Sequence, residues 1–437
     1  MKSRQLSLFS LRIQLKGINF FVGLTLIFIS LLSPKISISQ VVNGCTDPLA
    51  NNYNAAANVN DGTCAYNNTS YTPPVKVSPL SDTLVESSGL QMAGNYLWSF
   101  NDGGGAAAIY RIDTVTKNIL QTVNLANATN VDWEDIAFDG ASFYIGDIGN
   151  NANGARTNLT IYKFPFAAIP DYIANPVVTI PAASIGIIHF TYSDQPQPPV
   201  PVANNFTKFD CEAMIADSGK IHLFTKDWIN LTTTHYVVDD TPGTYIAVPV
   251  ETLATNYLVT GADKAPGQNL VVLLGYQNSG TANHFMHLLS GYSAGKYFNG
   301  NKRWLDLPDV FTMGQAEGIT FRNGVYGYIS NEKFVRYFGS IPIIITQKLR
   351  SFNISSFVSS PAGIYRFTGN GNWDEATNWN NNEAPPSPLS PGSEIVIDPV
   401  SGGKCVLNIP YTVLAGGTLT VMSGKEFEVT GNLTISQ

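Results

Sequence analysis

The sequence is poor in charged residues. Asp, Glu, Lys and Arg make up 13% of its 437 residues, against roughly 25% in an average soluble protein. No stretch rich in Lys and Arg follows the first 40 residues, and the formal net charge is −7. A chain without a basic patch is poorly suited to nucleic acid, so we expect no nucleic-acid partner. The acidic balance instead favours a cation, a small molecule or a neutral glycan as the ligand.

Helical periodicity is also lacking. Apolar side chains alternate with polar ones instead, as at Tyr96, Trp98 and Phe100 and again at Phe143 and Ile145. Alternation with a period of two is typical of strands with one buried face. The chain is long enough for two or three domains with substantial cores. We therefore predict an all-β protein rich in polar loops.

The chain has one long apolar segment, and it lies at the N-terminus. The basic stretch MKSRQLSLFSLRIQLKG precedes the apolar core INFFVGLTLIFISLL, and small residues follow at Ser37 and Ser39. This order predicts a secretory signal peptide over 1–39, cleaved before Gln40. The alternative is a retained membrane anchor, for which the apolar core is short against the ~20 residues of a span. We expect a secreted or cell-surface protein without a stable membrane span after cleavage.

Cysteine is scarce, with four residues in the whole chain. In an oxidising compartment Cys45 and Cys64 are the natural pair, and the loop that they close would gain about 3 kcal/mol of stability. The segment 40–65 is too short to bury a core, so this disulfide must supply much of its stability. We predict that Cys211 and Cys405, far apart in the sequence, are each buried and unpaired.

One hairpin guides the interpretation of the whole chain. An Asp-Gly turn at 139–140, between apolar runs, predicts a tight β-hairpin. A two-residue turn would set Asp132 opposite Asp147, with Glu134 on the same face. Like charges opposed across a sheet destabilise it, so three carboxylates at one end of a hairpin indicate a bound cation.

The same pattern recurs in four more hairpins, two of them regular. In each, an acidic residue stands near the start of the first strand. The regular copies set Asp210 opposite Asp227 with Glu212 on the same face, and Gln315 opposite Glu332 with Glu317 beside them; the others begin at Glu86 and surround Asp263.

Five hairpins at a spacing near 50 residues predict a β-propeller, in which each repeat supplies one four-stranded blade. The interval between Glu134 and Glu212 is longer than the others. It has room for a sixth, degenerate blade, or for outer strands with an inserted loop. We predict six blades.

The segments that flank the repeats differ from them in composition. The polar, Pro-containing stretch 66–79 is typical of a linker, and the propeller repeats then run over 80–360. Over 361–437 short apolar runs alternate with Gly-rich turns, which predicts a small parallel β-helix or β-roll. The expected order is signal peptide, disulfide-bonded motif, linker, β-propeller and β-helix-like module.

Several motifs resemble known families. GCTDPLANNYNAAANVNDGTC resembles a small motif of bacterial proteins exported by the type IX route, and NWDEATNW with PGSEIVID resembles a C-terminal module of secreted bacterial proteins. VESSGL, DWEDIA, YIGDIGNN, DCEAM, FTKD and AEGI resemble the secreted phytase-like or esterase-like β-propellers. That resemblance implies calcium, or another divalent ion, held by inward carboxylates at the channel mouth. By it, Glu86, Glu134, Glu212 and Glu317 would be the blade-start carboxylates, with Asp263 in the blade that lacks Glu.

The candidate site residues follow from the hairpins and the resemblance together. Arg156 and Lys226 are candidates to orient an anionic substrate, and no catalytic residue is identified. The alternative is that the carboxylates accept backbone N–H groups or pair with Lys226, Lys333 or Arg156, and serve only the geometry of the blades. The candidate metal ligands are Glu86, Asp132, Glu134, Asp147, Asp210, Glu212, Asp227, Glu317 and Glu332.

Two functions are consistent with such a site. The first is ligand binding or metal-assisted hydrolysis of a phosphoester or ester at the mouth, with calcium polarising the substrate. The second is non-catalytic adhesion or glycan binding, with structural carboxylates and contacts from Trp- and Tyr-rich loops. In an enzyme we expect Glu134, Asp147, Glu212 and Lys226 to converge in an open pocket. In a binding protein we expect them to be paired and covered.

Overall fold

Strands dominate the computed structural model, which describes residues 41–278, 282–359, 364–380, 384–389, 393–414 and 417–435. The α-helix of these residues is a single turn, Val310–Met313, capped by Asp309, which accepts a hydrogen bond from Thr312 N. The predicted all-β class is confirmed. Short 3₁₀ turns lie at Asp82–Leu84, Phe166–Ala168, Ala182–Ser184, Tyr297–Asn299 and Ala376–Asn378.

The predicted signal peptide lies outside the described residues. Within the part of the chain that is described, no helix has the length and apolar character needed to cross a membrane.

Five mainly antiparallel sheets surround one axis, and we number these blades 1 to 5 in chain order. In each blade the innermost strand pairs with the strand that follows it in the chain. From the inside outwards the strands are Ser87–Ala93, Tyr96–Asn101, Ala108–Ile112 and Ile119–Leu125 in blade 1; Trp133–Phe138, Ser142–Asp147, Thr160–Pro165 and Gly186–Tyr192 in blade 2; Cys211–Asp217, Lys220–Thr225, Thr232–Asp239 and Gly243–Ala254 in blade 3; Leu258–Lys264, Leu270–Tyr276, Asn283–Ser290 and Asn301–Asp309 in blade 4; and Gln315–Phe321, Tyr326–Glu332, Lys348–Asn353 and Val75–Val77 in blade 5.

The innermost strands close into a ring. Each packs against the innermost strands of two neighbouring blades, and that of blade 5 packs against that of blade 1. Apolar side chains fill the space between blades, as Trp98 and Phe100 do with Trp133 and Phe143. The fold is a β-propeller, and within the described residues five blades complete the ring, one fewer than we predicted.

The long interval between Glu134 and Glu212 holds outer strands instead of a sixth blade. Part of it completes blade 2, and Val177–Ile180 adds a parallel fifth strand to the edge of blade 1. The outermost strands of blades 2 and 3 also pair in parallel, for example Phe190 with Tyr245. These pairings satisfy backbone hydrogen-bonding groups of the interval within the sheets of blades 1 to 3. The extra residues therefore do not need to form a sixth blade.

Residues 66–79, predicted as a linker, contribute to the propeller. Val75–Val77 is the outermost strand of blade 5, so strands from both ends of the repeat region close the ring. Arg350 NH1 donates a hydrogen bond to Pro73 O at 2.8 Å. The linker prediction is wrong for this stretch, because its extended Pro-containing backbone suits an edge strand as well as a spacer.

The predicted disulfide between Cys45 and Cys64 is confirmed. Beside it, Asn43–Gly44 and Val59–Asn60 form a short parallel pair. Asn60 Nδ2 donates to Gly291 O at 3.1 Å and to Asn301 Oδ1 at 2.9 Å. Both acceptors lie at the ends of the outer strands of blade 4, on the side of the blade where its innermost strand finishes. The disulfide motif is therefore docked on the propeller.

The C-terminal residues form three parallel sheets, as a parallel β-helix requires. Cys405 is buried and unpaired in their core, beside Trp373 and Trp379, and Cys211 is buried and unpaired in blade 3. The predictions for this module and for both cysteines are confirmed. The sheets comprise Ile364–Phe367, Glu394–Ile397 and Thr418–Val421; Gly371–Asn372, Lys404–Leu407 and Glu426–Val429; and Tyr411–Val413 with Leu433–Ile435.

A separate two-stranded hairpin is inserted in blade 5. Its strands are Phe334–Phe338 and Ile341–Ile345, and it follows directly on the second strand of the blade. Several of its apolar side chains are exposed, among them Tyr337 and Ile341.

Candidate metal centre at the propeller mouth

Each innermost strand carries a β-bulge at the same position. In blade 2, for example, Glu134 is the extra residue that follows the pair Trp133–Asp147, so Asp132 is not opposite Asp147 as predicted. A bulge changes the direction of the extra side chain. We call the end of the channel where the bulges lie the mouth. In blades 1 to 5 the first unpaired residue of the bulge is Ser88, Glu134, Glu212, Thr260 and Glu317.

The bulges decide which predicted blade-start acids are equivalent. Glu134, Glu212 and Glu317 all occupy bulges and are buried. Glu86 is exposed and precedes the bulge of blade 1. Asp263 lies beyond the bulge of blade 4. Neither is the structural counterpart of the three glutamates, so acidic residues fill the bulge in only three of the five blades.

Asp263 connects two blades. Its Oδ2 accepts hydrogen bonds from Phe321 N at 2.7 Å and Thr320 Oγ1 at 2.9 Å, both in blade 5. Burial raises its pKa to about 7. Asp135 plays the same part between blades 2 and 3, where its Oδ2 accepts from Met214 N at 2.7 Å. These buried acids hold the ring together.

Carboxylates of blades 1, 2 and 3 converge at the mouth in two overlapping groups. The first acidic group is Asp102, Asp132 and Glu134, and the second is Glu134, Asp210 and Glu212. Within each group, one carboxylate oxygen of every residue lies within 4.8 Å of the others. Each group therefore has the composition and spacing of an oxygen-ligand cation site.

Burial makes negative charge unfavourable in both groups. It raises the pKa of Glu134 well above the usual range, and the charge of Glu212 raises it further. Burial, then the charge of Glu317, raises the pKa of Asp102 to about 7. Burial, then the charge of Asp210, raises the pKa of Asp132 to about 6. Protonation of these acids, or a positive charge beside them, would relieve this cost.

Glu134, shared by the two groups, is the least satisfied of these acids. Its side chain is buried, with 4% of the residue exposed. No N–H or O–H group in the described part of the chain donates a hydrogen bond to its carboxylate, and its charged neighbours within the site are mainly other acids. Its oxygens are not among the fully enclosed unpaired atoms of the described residues, so they reach the channel, where a positive charge would offset the cost of their partial dehydration.

Asp210 is better satisfied. It accepts hydrogen bonds from Asn150 N at 2.6 Å and from Trp228 Nε1 at 2.8 Å. Its own carbonyl accepts from Lys226 N at 2.9 Å, so the bulge sets it beside Lys226 and not opposite Asp227 as predicted.

Two other predicted ligands are used by the loops that follow them. Asp147 Oδ1 accepts from Arg156 NH2 at 2.6 Å and from Asp132 N at 3.0 Å. Asp227 closes the turn after blade 3's second strand, accepting from Ile229 N, Asn230 N, Asn230 Nδ2 and Thr232 Oγ1. Both serve local geometry.

On the blade 5 side, Glu317 and Glu332 form a further acidic pair outside the two groups. Gln315 Nε2 donates to Glu317 Oε1 at 2.8 Å. Burial, then the charge of Glu317, raises the pKa of Glu332 well above its usual range. The predicted pairing of Gln315 with Glu332 is confirmed.

Lys226 is paired inside the protein. Its Nζ forms an ion pair with Glu212 Oε2, and the two side chains are 3% and 4% exposed. Nζ also lies 4.8 Å from the ring centre of Trp228 and 5.3 Å from that of Tyr276. Its ammonium is therefore enclosed by protein groups.

Arg156 is paired as well. Besides Asp147, its guanidinium donates to Gly149 O at 2.7 Å and to Asn158 Oδ1 at 3.2 Å. These bonds fix the loop that follows the second strand of blade 2. Both cations predicted to orient a substrate thus have partners in the protein.

No protein-family model and no curated protein sequence matches the chain. Solved structures resemble it at low identity: a bifunctional GH43-CE protein of Bacteroides eggerthii (10% identity, 63% of this chain and 37% of that one, TM-score 0.34), the catalytic domain of the GH62 α-L-arabinofuranosidase of Coprinopsis cinerea (12%, 65% and 96%, TM-score 0.35), and a putative 6-phosphogluconolactonase of Bacteroides fragilis (12%, 60% and 72%, TM-score 0.28). The alignment thus spans little more than a third of the B. eggerthii chain. These similarities carry no argument about activity, which rests on the site.

Proposed function

We propose that this protein is a secreted or cell-surface β-propeller whose mouth binds a divalent cation, calcium, in the first acidic group. The observation that carries the proposal is the buried carboxylate of Glu134, which has no hydrogen-bond donor in the described part of the chain and lies beside two more carboxylates. A divalent cation would offset the repulsion and the lost hydration of all three. The disulfide between Cys45 and Cys64 supports an oxidising compartment.

The ligand chemistry favours calcium over softer metals. Both acidic groups of the described residues consist of carboxylates, with neither His nor Cys. Hard oxygen ligands suit calcium and magnesium, whereas zinc and copper prefer nitrogen and sulfur. Asp102, Asp132 and Glu134 would hold the ion, and backbone carbonyls and water would complete its six to eight ligands.

Calorimetric titration with calcium chloride tests the proposal. Wild-type protein, freed of metal with a chelator, should bind calcium, and Glu134→Gln should weaken binding by at least ~tenfold, because it removes charge from the shared ligand. Glu86→Gln is the matched control, since it neutralises an exposed glutamate at the start of a blade. Equal calcium binding by wild type and Glu134→Gln would place the ion elsewhere, and no binding by wild type would refute the proposal.

Metal-assisted hydrolysis of a phosphoester or ester is a second candidate function of the same site. The supporting observation is that the Asp132 side chain is 22% exposed, so the first acidic group reaches solvent on one side. An ion there would keep a coordination position for a substrate oxygen. The pairing of Lys226 and Arg156 leaves the ion as the principal electrophile.

A screen of phosphoesters, esters and lactones with calcium decides between catalysis and binding. Turnover that requires calcium and is lost in Glu134→Gln but kept in Glu86→Gln would establish the hydrolase. Calcium binding without turnover of any substrate would favour the adhesion or glycan-binding function, which a glycan array measured with calcium and with chelator would then address.

A further inference from the structure

Lys226 places an ammonium group beside the second acidic group of the mouth. Its Nζ pairs with Glu212, which shares that group with Glu134 and Asp210. The charge of Lys226 also acts on Asp210, and on acids of the other blades. The lysine is therefore the central positive charge of the mouth.

The surroundings hold this ammonium in place. The ring of Trp228 lies beside Nζ, and the indole N–H of the same residue donates to Asp210 at 2.8 Å. Tyr276 covers Nζ from blade 4. Aromatic faces attract an ammonium group, and more strongly when water is excluded. Lys226 is thus fixed by blades 3 and 4 together.

The two acidic groups have the same number of carboxylates but different partners. In the second group, Glu212 has an ion pair and Asp210 has two hydrogen bonds. In the first group, Asp102 accepts from the neighbouring Gly103 N, and the nearest cation to Asp132 is Arg156 NH1 at 4.0 Å. Only one of the two groups therefore already contains its own cation within hydrogen-bonding distance.

We propose that Lys226 is a built-in monovalent cation that fills the second acidic group and limits the mouth to one divalent ion. Without its charge, the second group is three converging carboxylates, as many as in the first. Glu134 belongs to both groups, so a divalent ion held by the first group would share this ligand with any ion that entered the second. This inference rests on the proposed calcium binding of the first group, and it makes Lys226 a determinant of ion number.

Counting bound calcium ions by calorimetry in matched variants tests the inference. Lys226→Met removes the charge and keeps an apolar stem of similar length; Lys333→Met removes an exposed lysine that follows Glu332, and serves as the control. We expect one ion per chain in wild type and Lys333→Met, and two in Lys226→Met. The double variant Lys226→Met/Glu212→Gln, which removes a ligand of the vacated group, should return to one.

The possible outcomes separate this inference from the proposed function. One ion in both wild type and Lys226→Met overturns the role of Lys226 and leaves the first site intact. No ion in wild type but one in Lys226→Met refutes the proposed first site and supports the role of Lys226. Two ions in the double variant would show that the added ion lies outside the second group, which also overturns the inference.

A second substitution covers the case in which Lys226→Met fails to fold, judged by circular dichroism. Lys226→Gln is neutral, but its amide can still donate a hydrogen bond to Glu212. It should also bind one calcium ion more than wild type does. Its affinity for this second ion should be at least ~tenfold higher than the affinity of wild type for a second ion. Equal ion numbers in Lys226→Gln and wild type would overturn the inference.

Discussion

The carboxylate of Glu134 lies against the backbone of Gly149. A Cβ atom on residue 149 would overlap Glu134 Oε1 and also Asp132 Oδ2, two oxygens of the first acidic group. Residue 149 does not adopt a left-handed backbone conformation. Glycine is therefore required there because a side chain would not fit, and not because of its backbone angles. The missing side chain allows the carboxylates of Glu134 and Asp132 to lie close together.

Gly149→Ala should disturb the ion site more than the fold. The added methyl group would push Glu134 and Asp132 apart, so we expect calcium affinity to fall by at least ~tenfold. Gly105→Ala is the control, because a Cβ there would meet no atom closer than 3.8 Å. Calorimetry on both variants gives the answer, and wild-type affinity in Gly149→Ala would contradict the placement of the ion between these residues.

Asp263 should matter for stability and not for calcium. Asp263→Ala leaves Phe321 N and Thr320 Oγ1 without their acceptor in a buried contact between blades 4 and 5. Unsatisfied buried donors cost about 1–3 kcal/mol each, so we expect the free energy of unfolding to fall by about 2–4 kcal/mol. Urea denaturation measures the loss, with Glu86→Ala as the exposed control. A loss of calcium binding in folded Asp263→Ala would instead make Asp263 part of the ion site.

His284 should make the protein sensitive to acid. Its Nε2 accepts a hydrogen bond from Ala316 N at 3.3 Å, which requires a neutral ring, and burial lowers its pKa to about 4. The unfolded chain, with a histidine pKa near 6.5, binds more protons than the native state between these values. The contribution of His284 to stability therefore falls as pH drops from about 6.5 to 4, by about 2 kcal/mol between pH 7.5 and pH 5.

The variant His284→Gln isolates this effect from opposing ones. Buried acids such as Asp263 have raised pKa values, and they favour the native state on acidification because it binds more protons there. We expect the difference in unfolding free energy between wild type and His284→Gln to shrink by about 2 kcal/mol from pH 7.5 to pH 5. A difference independent of pH would show that His284 does not stay neutral in the folded protein.

Loss of the disulfide should loosen the N-terminal motif alone. Cys45→Ser opens the loop that ends at Cys64, and we expect the opening free energy of the motif to fall by about 3 kcal/mol. Hydrogen exchange should show faster exchange near Asn60, while amides of the innermost strands keep their protection. Equal loss of protection in both regions would mean that the motif and the propeller unfold as one unit.

The five innermost hairpins could be predicted from the sequence because their signals are local. Xaa-Gly turns between alternating apolar residues locate the strands without any knowledge of distant contacts. In blade 5 even the pairing of Gln315 with Glu332 was predicted correctly, although for an incomplete reason. Asn323 accepts from Val325 N and Tyr326 N and so enlarges the turn, and the bulge then shifts the register back by one residue.

The membership of the site could not be predicted in the same way, because a bulge moves every residue beyond it by one position. This is why Asp132 and Asp210 were assigned the wrong partners. It is also why Ser88 and Thr260 were missed. A signal existed for these two, since each precedes a glycine near the start of an innermost strand.

Asp102 was missed for a related reason. It directly follows the second strand of blade 1, as Lys226 follows that of blade 3, whereas Glu332 is the last residue of that of blade 5. Asp147, Asp227 and Glu332 were predicted at the corresponding strand ends, and extending that pattern to blade 1 would have found Asp102. The partners of Lys226 and Arg156, by contrast, depend on loop conformations that no local pattern specifies.

The most direct test of the central claim is thermal unfolding of the purified wild-type protein with calcium and with chelator. A cation bound only by the native state stabilises it by about 2.7 kcal/mol at a free concentration of 100 times Kd. We therefore predict that the midpoint of unfolding rises with calcium concentration, and that Glu134→Gln flattens this rise while Glu86→Gln does not. Superimposable curves for the wild-type protein with calcium and with chelator would contradict the claim.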